Sequence, residues 1–133
     1  MGPHSGSTAA HAGRLVALER GAAAELWVAE SLAVQGWKIA ARNWRGGHGE
    51  LDIVAVRGGE VQFVEVKARE FGDDSGLESV THAKRRRLVS AAESWLASEG
   101  SASLRRFAFT VVAMTAGPDG WVAEWIDDAF DAE

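Results

Sequence analysis

The chain has 133 residues, 47% of them hydrophobic, which is enough for one compact core and too little for two ordinary domains. It has no cysteine, so a disulfide framework and a cysteine-based zinc site are excluded, and its four histidines (His4, His11, His48 and His82) lack ligand spacing. The formal net charge of −5 excludes a globally basic footprint, yet six acidic groups and no lysine or arginine fall in residues 119–133, leaving 14 basic against 13 acidic groups in the body.

Residues 1–13 (MGPHSGSTAAHAG) are rich in Gly, Ser and Ala without a period, and read as a mobile tail outside a single domain that spans 14–133. The apolar segment from Leu15 to Val34 is interrupted by Glu19, Arg20, Glu25 and Glu30, so neither a signal peptide nor a membrane span is expected and the cytoplasm is the default location. From Arg14 to Gln35 the composition favours a helix, with Leu18, Ala22, Ala29 and Leu32 returning to one face and Gly36 as its stop. Glu25 lies on that same stripe. Residues 37–44 predict a first strand and Arg45-Gly46-Gly47-His48-Gly49 a flexible loop. A hairpin follows, from Glu50 to about Arg69, with Gly58-Gly59 at its tip. Thr81 is placed to cap a second helix that runs to about Ser98 with Leu88, Ala91, Ala92, Trp95 and Leu96 on its apolar side. Residues 106–115 and 121–126 predict two more strands around a Pro- and Gly-containing turn. The order helix, three strands, helix, two strands predicts an α/β fold, with a mixed central sheet and helices packed against it.

The hairpin raises a question of charge. A two-residue Gly58-Gly59 loop pairs residues whose numbers sum to 117, so Asp52 faces Glu65 and Glu50 faces Lys67, and strand alternation puts all four on one face. Like charges directly opposite one another are destabilising, and a partly desolvated pair raises a pKa or acquires a cation. Mg²⁺ is a natural candidate, being held by one or two carboxylates plus waters and substrate phosphates. Lys67 would then lie beside the ion, positioned to orient or deprotonate water, and Glu25 could reach the cluster from the first helix. The plainer alternatives are a cross-strand ion pair between Glu50 and Lys67, and neutralisation of Asp52 and Glu65 by nearby cations or by water.

These residues also carry a resemblance. An acidic residue on a first helix, then GELDIV, then FVEVKAR, resembles the PD-(D/E)xK arrangement of restriction-endonuclease-like nucleases, with Asp52 followed by Glu65-Val66-Lys67. The blocks ARNWR (41–45), GHGELDIV (47–54), FVEVKAR (63–69), SVTHAKRRRL (79–88) and EWIDDAF (124–130) are similar to the YraN-like family of small bacterial proteins. The resemblance implies a restriction-endonuclease-like fold and a site in which Asp52, Glu65 and the Val66 carbonyl bind Mg²⁺ or Mn²⁺. It further implies that Lys67 assists the attacking water, with Glu25 matching the helix acid of Holliday-junction-resolvase-like members. Leu51 replaces the usual proline before the aspartate.

Lys84 shares a helix side with Leu88, Ala91 and Trp95, which turns it toward the sheet, so it is expected to contact substrate phosphate with Arg86. Arg42 and Arg45, which flank Trp44, are expected to add nucleic-acid contacts, and Glu50 and His48 accessory ones. Trp27, Trp95, Trp121 and Trp125 sit in apolar patterns and predict core positions, and packing is also the favoured role of Trp44. The expected function is a metal-dependent endonuclease that hydrolyses phosphodiester bonds in DNA, including branched or structured DNA in repair or recombination. The alternative is a non-catalytic nucleic-acid-binding accessory module that acts with a protein partner. The near-neutral body favours a partner or a homodimer.

Overall fold

The computed structural model describes residues 5–100 and 103–131, and their side chains from residue 19 onward. The elements are α1 (Ser5–Val34), β1 (Lys38–Gly46), β2 (Gly49–Arg57), β3 (Glu60–Arg69), a single 3-10 turn (Leu77–Ser79), α2 (His82–Ser98), β4 (Arg106–Gly117) and β5 (Gly120–Ile126). The expected fold class is thus found, a mixed five-stranded sheet flanked by helices, consistent with a restriction-endonuclease-like α/β fold. Residues 5–13, expected to be a tail, continue the α1 backbone, because an Ala-rich segment without Pro costs a helix little; residues 1–4 lie outside the described residues.

Strand order follows the chain, β1-β2-β3-β4-β5. All neighbours are antiparallel except β3 and β4, which are parallel. A parallel neighbour requires a crossover, and α2 is that crossover. It buries Leu88, Ala91, Ala92 and Trp95 against Leu51, Val54, Val61, Phe63, Phe109 and Val111. On the other face α1 buries Ala24, Val28, Ala29 and Leu32 against Ile53, Ala55, Val64, Val112 and Met114. The α1 stripe is thus shifted from the expected one: Ala22 is exposed, and the side chain of Leu18 lies outside the described residues. With so many alanines, no single stripe of the α1 sequence is decisive. No helix among the described residues is long and apolar enough to cross a membrane.

The hairpin register is the expected one from Arg57↔Glu60 to Ile53↔Val64, with Gly58 at φ 61 in the turn. Strand alternation, however, is broken at Asp52. Leu51 and Val54 pack on the α2 side while Ile53 and Ala55 pack on the α1 side, so Leu51 and Ile53 face opposite ways although two residues apart. The neighbouring strand breaks in step, since Asn43 has φ 50 and Ala41 and Trp44, three residues apart, share the α2 side. Regular alternation of Glu50, Asp52, Glu65 and Lys67 on one face does not hold.

The loop expected to be flexible is instead packed on α2. A Cβ at Gly49 would overlap the carbonyl oxygen of Arg87, and one at Gly47, which has φ +60, would overlap the Ser90 backbone. The His48 N–H donates to the Ser90 hydroxyl at 3.2 Å. Glycine is needed here because backbone meets backbone. Gly49→Ala is expected to cost about 1–3 kcal/mol in urea unfolding, whereas Gly21→Ala, in α1 with nothing within 4 Å, is expected to add about 0.5–1 kcal/mol.

Candidate active site

The β2–β3 ladder ends at Ile53↔Val64, and a side chain continues what the backbone stops. Asp52 Oδ2 accepts the Val66 N–H at 2.8 Å, tying the two strands together where they diverge. The kink at Asp52 lets this carboxylate reach across the strand gap. On the other side of β3 the parallel pairing with β4 runs uninterrupted through Glu65, Val66 and Lys67, so these residues are held by β4 while β2 departs.

Glu65 is a buried carboxylate, 7% exposed, beside Asp52. Lys84, on the first turn of α2, places its Nζ 2.5 Å from Glu65 Oε2. The helix start that aims this lysine is set locally: Thr81 caps α2, its hydroxyl accepting the Lys84 N–H at 3.2 Å. Glu50, Asp52, Glu65, Lys84 and Arg87 converge on an open cleft of about 180 Å³.

Burial and then the charge of Glu65 push the Asp52 carboxyl up to about 7, and the Val66 N–H and the Lys84 ammonium only partly offset them. Glu25 on α1 is also raised, first by burial and next by the charge of Asp52, while Arg42 and a hydrogen bond with Asn43 pull the other way. The site is therefore an acidic pair with a third carboxylate in its field. Among the described residues no three acidic or histidine side chains are gathered tightly enough to hold a metal ion unaided. Two carboxylates, the Val66 peptide and an open cleft are a donor set that suits a hard divalent ion completed by water and phosphate oxygens. Lys84 already places a positive charge there.

The profile of Uncharacterised protein family UPF0102 matches residues 24–114, from α1 through β4. This chain belongs to the UPF0102 family. UPF0102 proteins similar to it include one from Gloeobacter violaceus, 42% identical over 112 residues covering 81% of this chain and 89% of the relative. One from Synechococcus sp. is 40% identical over 118 residues, 84% of this chain and 90% of the relative. A third, from Rhodopseudomonas palustris, is 39% identical over 121 residues, 90% and 88% of the respective chains. The matched UPF0102 segment contains the acid pair, Lys84 and both glycines packed on α2.

The other expected site residues are distributed unevenly. Lys67 is half-buried and does not line the cleft; its charge instead acts on Asp73 in the loop after β3. Glu50 does line the cleft, but its ion pair is with Arg45 at 3.6 Å rather than with Lys67, because the two strands have separated by that point and β1 is the remaining neighbour. That pair is exposed and contributes little to stability. Arg42 acts on Glu25, Arg86 is exposed on α2, and His48 is an exposed turn residue. Arg85 is engaged structurally, donating to the Val80 carbonyl at 3.1 Å and stacking over Phe130.

Two residues escaped sequence reasoning. Arg87 lines the cleft, and its spacing of three from Lys84 on a helix is the signal for it. Asn43 supports Glu25 from a left-handed backbone position, a conformation asparagine tolerates and for which an Asn inside a strand pattern is a cue. Trp95 is buried, and Trp27, Trp121 and Trp125 pack against the α1 cluster and Trp44 against the α2 cluster, as expected for packing residues.

The raised Asp52 pKa has a thermodynamic sign. The folded state keeps a proton that the unfolded chain releases near 3.8, so stability is fully present below that pH and is lost as pH rises through about 7. Asp52→Asn, which mimics the protonated acid, is expected to flatten the pH dependence of Tm over this window. At about pH 8 it should stabilise the protein by on the order of 2–4 kcal/mol, measured by thermal unfolding across pH.

Proposed function

We propose that this chain is a metal-dependent nuclease that hydrolyses phosphodiester bonds in DNA, with branched or structured DNA as its substrate class. The observation that carries this reading is a buried carboxylate, Glu65, beside a partly buried one, Asp52, on an open cleft and opposed by one ammonium. Asp52 and Glu65, with the Val66 carbonyl, would hold Mg²⁺ or Mn²⁺. Such an ion, when bound, polarises a phosphoryl oxygen and makes a bound water a stronger nucleophile.

The chain's own residues supply the rest. Asp52, by accepting the Val66 N–H, ties β3 to β2 at the site. Lys84 and Arg87, one helical turn apart on α2, present positive charge to a phosphate in the cleft. Lys67 follows Glu65 by two residues on β3, and in this reading it approaches the attacking water when the cleft is filled. Glu25, whose pKa is raised first by burial and then by the charge of Asp52, adds a third carboxylate near the pair.

A second reading is supported by the Lys84–Glu65 ion pair itself. If that pair persists with DNA present, the fold serves as a nucleic-acid-binding accessory module that acts with a partner. The deciding experiment incubates purified protein with single-stranded, duplex, flap and four-way-junction DNA in Mg²⁺, Mn²⁺ or EDTA, beside Glu65→Gln and Lys67→Ala. Metal-dependent cleavage reduced to background in Glu65→Gln, with the variant folded, is the expected result. Retained cleavage in that variant overturns the assignment, and saturable binding without turnover in any metal moves it to the accessory module.

A further inference from the structure

The loop 70–76 and the edge strand β5 form a surface that the acid pair does not use. Phe71 is 84% exposed and Val122 is 59% exposed, and with Pro118 they line a cleft of about 280 Å³. Large apolar side chains left together in water mark interaction sites more often than they serve the fold.

This loop is braced in place. The largely buried Arg69 donates to the Ser75 carbonyl, to the Thr115 hydroxyl at 2.9 Å and to Glu124 Oε1 at 3.1 Å. Asp73 Oδ1 accepts the Ser75 N–H at 2.9 Å, closing the turn. A cleft held open in this way does not pay an ordering cost when something enters it.

The strand beside the cleft is open. β5 ends the strand order and pairs with β4 alone among the described residues, so its outer edge offers backbone N–H and C=O groups to one more extended segment. Val122 pairs with Thr115 across the β4–β5 ladder, and both line the cleft, so a strand added at this edge would run directly beside it.

Charge selects the occupant. Asp73 and Asp74 form the rim, Asp119 sits in the adjoining hairpin turn, and residues 119–133 contain no lysine or arginine. Arg69 is paired with Glu124, and its charge and, more weakly, that of the half-buried Lys67 act on Asp73 from the β3 side. A second copy docked edge to edge would press two acidic rims together, and nucleic-acid phosphates would meet the same repulsion. We propose that the loop 70–76 and the β5 edge are a docking groove for an extended segment of a partner protein. That segment carries an apolar anchor for Phe71, Pro118 and Val122, and Lys or Arg for Asp73 and Asp74. The inference is independent of the nuclease reading and stands whether or not the chain cuts DNA.

The probe is a library of random dodecamer peptides displayed on phage, selected against the full chain, with dissociation constants then measured for the enriched peptides. Enrichment of peptides that combine an apolar residue with Lys or Arg is expected. Their affinity should fall by about tenfold or more in Phe71→Ser and in Val122→Lys, and stay within about twofold in the control Asp131→Lys. Both test positions are exposed, and folding is checked by circular dichroism. No enrichment, enrichment of peptides lacking basic residues, or affinities unmoved by the two variants overturns the proposal. A wild-type dimer that dissociates in Val122→Lys overturns it in favour of a second copy.

Discussion

Two carboxylates that repel each other are held side by side where β2 and β3 part. Asp52 and Glu65 stay together because Asp52 is committed to the Val66 N–H and because Lys84 supplies the opposite charge. A like-charge pair out of water is costly unless protons or cations offset it, and the raised Asp52 pKa is the expression of that cost. Structures do not collect such pairs for stability. In the proposed function, an ion entering the cleft completes the charge balance of this pair.

The scaffold explains how the pair is kept. β3 is gripped by β4 in parallel register through Glu65 and Lys67, while β2 leaves at Asp52, so the acid pair lies across the seam between a rigid strand and a departing one. The parallel pairing demands a crossover, and the crossover helix begins where its capped first turn delivers Lys84 to Glu65. Gly47 and Gly49 bring the β1–β2 turn onto the same helix, backbone against backbone. Fold and site are therefore coupled through α2, which carries both Lys84 and the backbone that Gly47 and Gly49 pack against.

Much of this was legible in the sequence. Turn chemistry and apolar periodicity yielded every strand, the Thr81 cap and the hairpin register, because each depends on local rules. The juxtaposition of Asp52 and Glu65 was expected from that register, but the ladder stops at Ile53↔Val64 and the kink at Asp52 brings the two carboxylates together. What sequence could not carry was the break in alternation at Asn43 and Asp52, since a paired kink arises from how two neighbouring strands twist and no single residue announces it. That break separates Glu50 from Lys67 and gives Glu50 to Arg45. The N-terminal extension of α1 was hidden by a composition of Gly, Ser and Ala that suits a tail as well as a weak helix. The role of the Gly-rich loop was misread as flexibility, because glycine permits motion and close contact alike, and only the position of the Arg87 carbonyl distinguishes them.

In the proposed function the acid pair takes a cation, and Lys84 is the one the chain itself provides. Titration of Mn²⁺ into wild-type, Glu65→Gln and Lys84→Met protein, followed by electron paramagnetic resonance of the free ion, tests this without reference to catalysis. The expected result is saturable binding to the wild type, tighter binding to Lys84→Met because the competing ammonium is gone, and loss of binding in Glu65→Gln. Equal Mn²⁺ binding by all three proteins, or none by Lys84→Met while it remains folded, would contradict it.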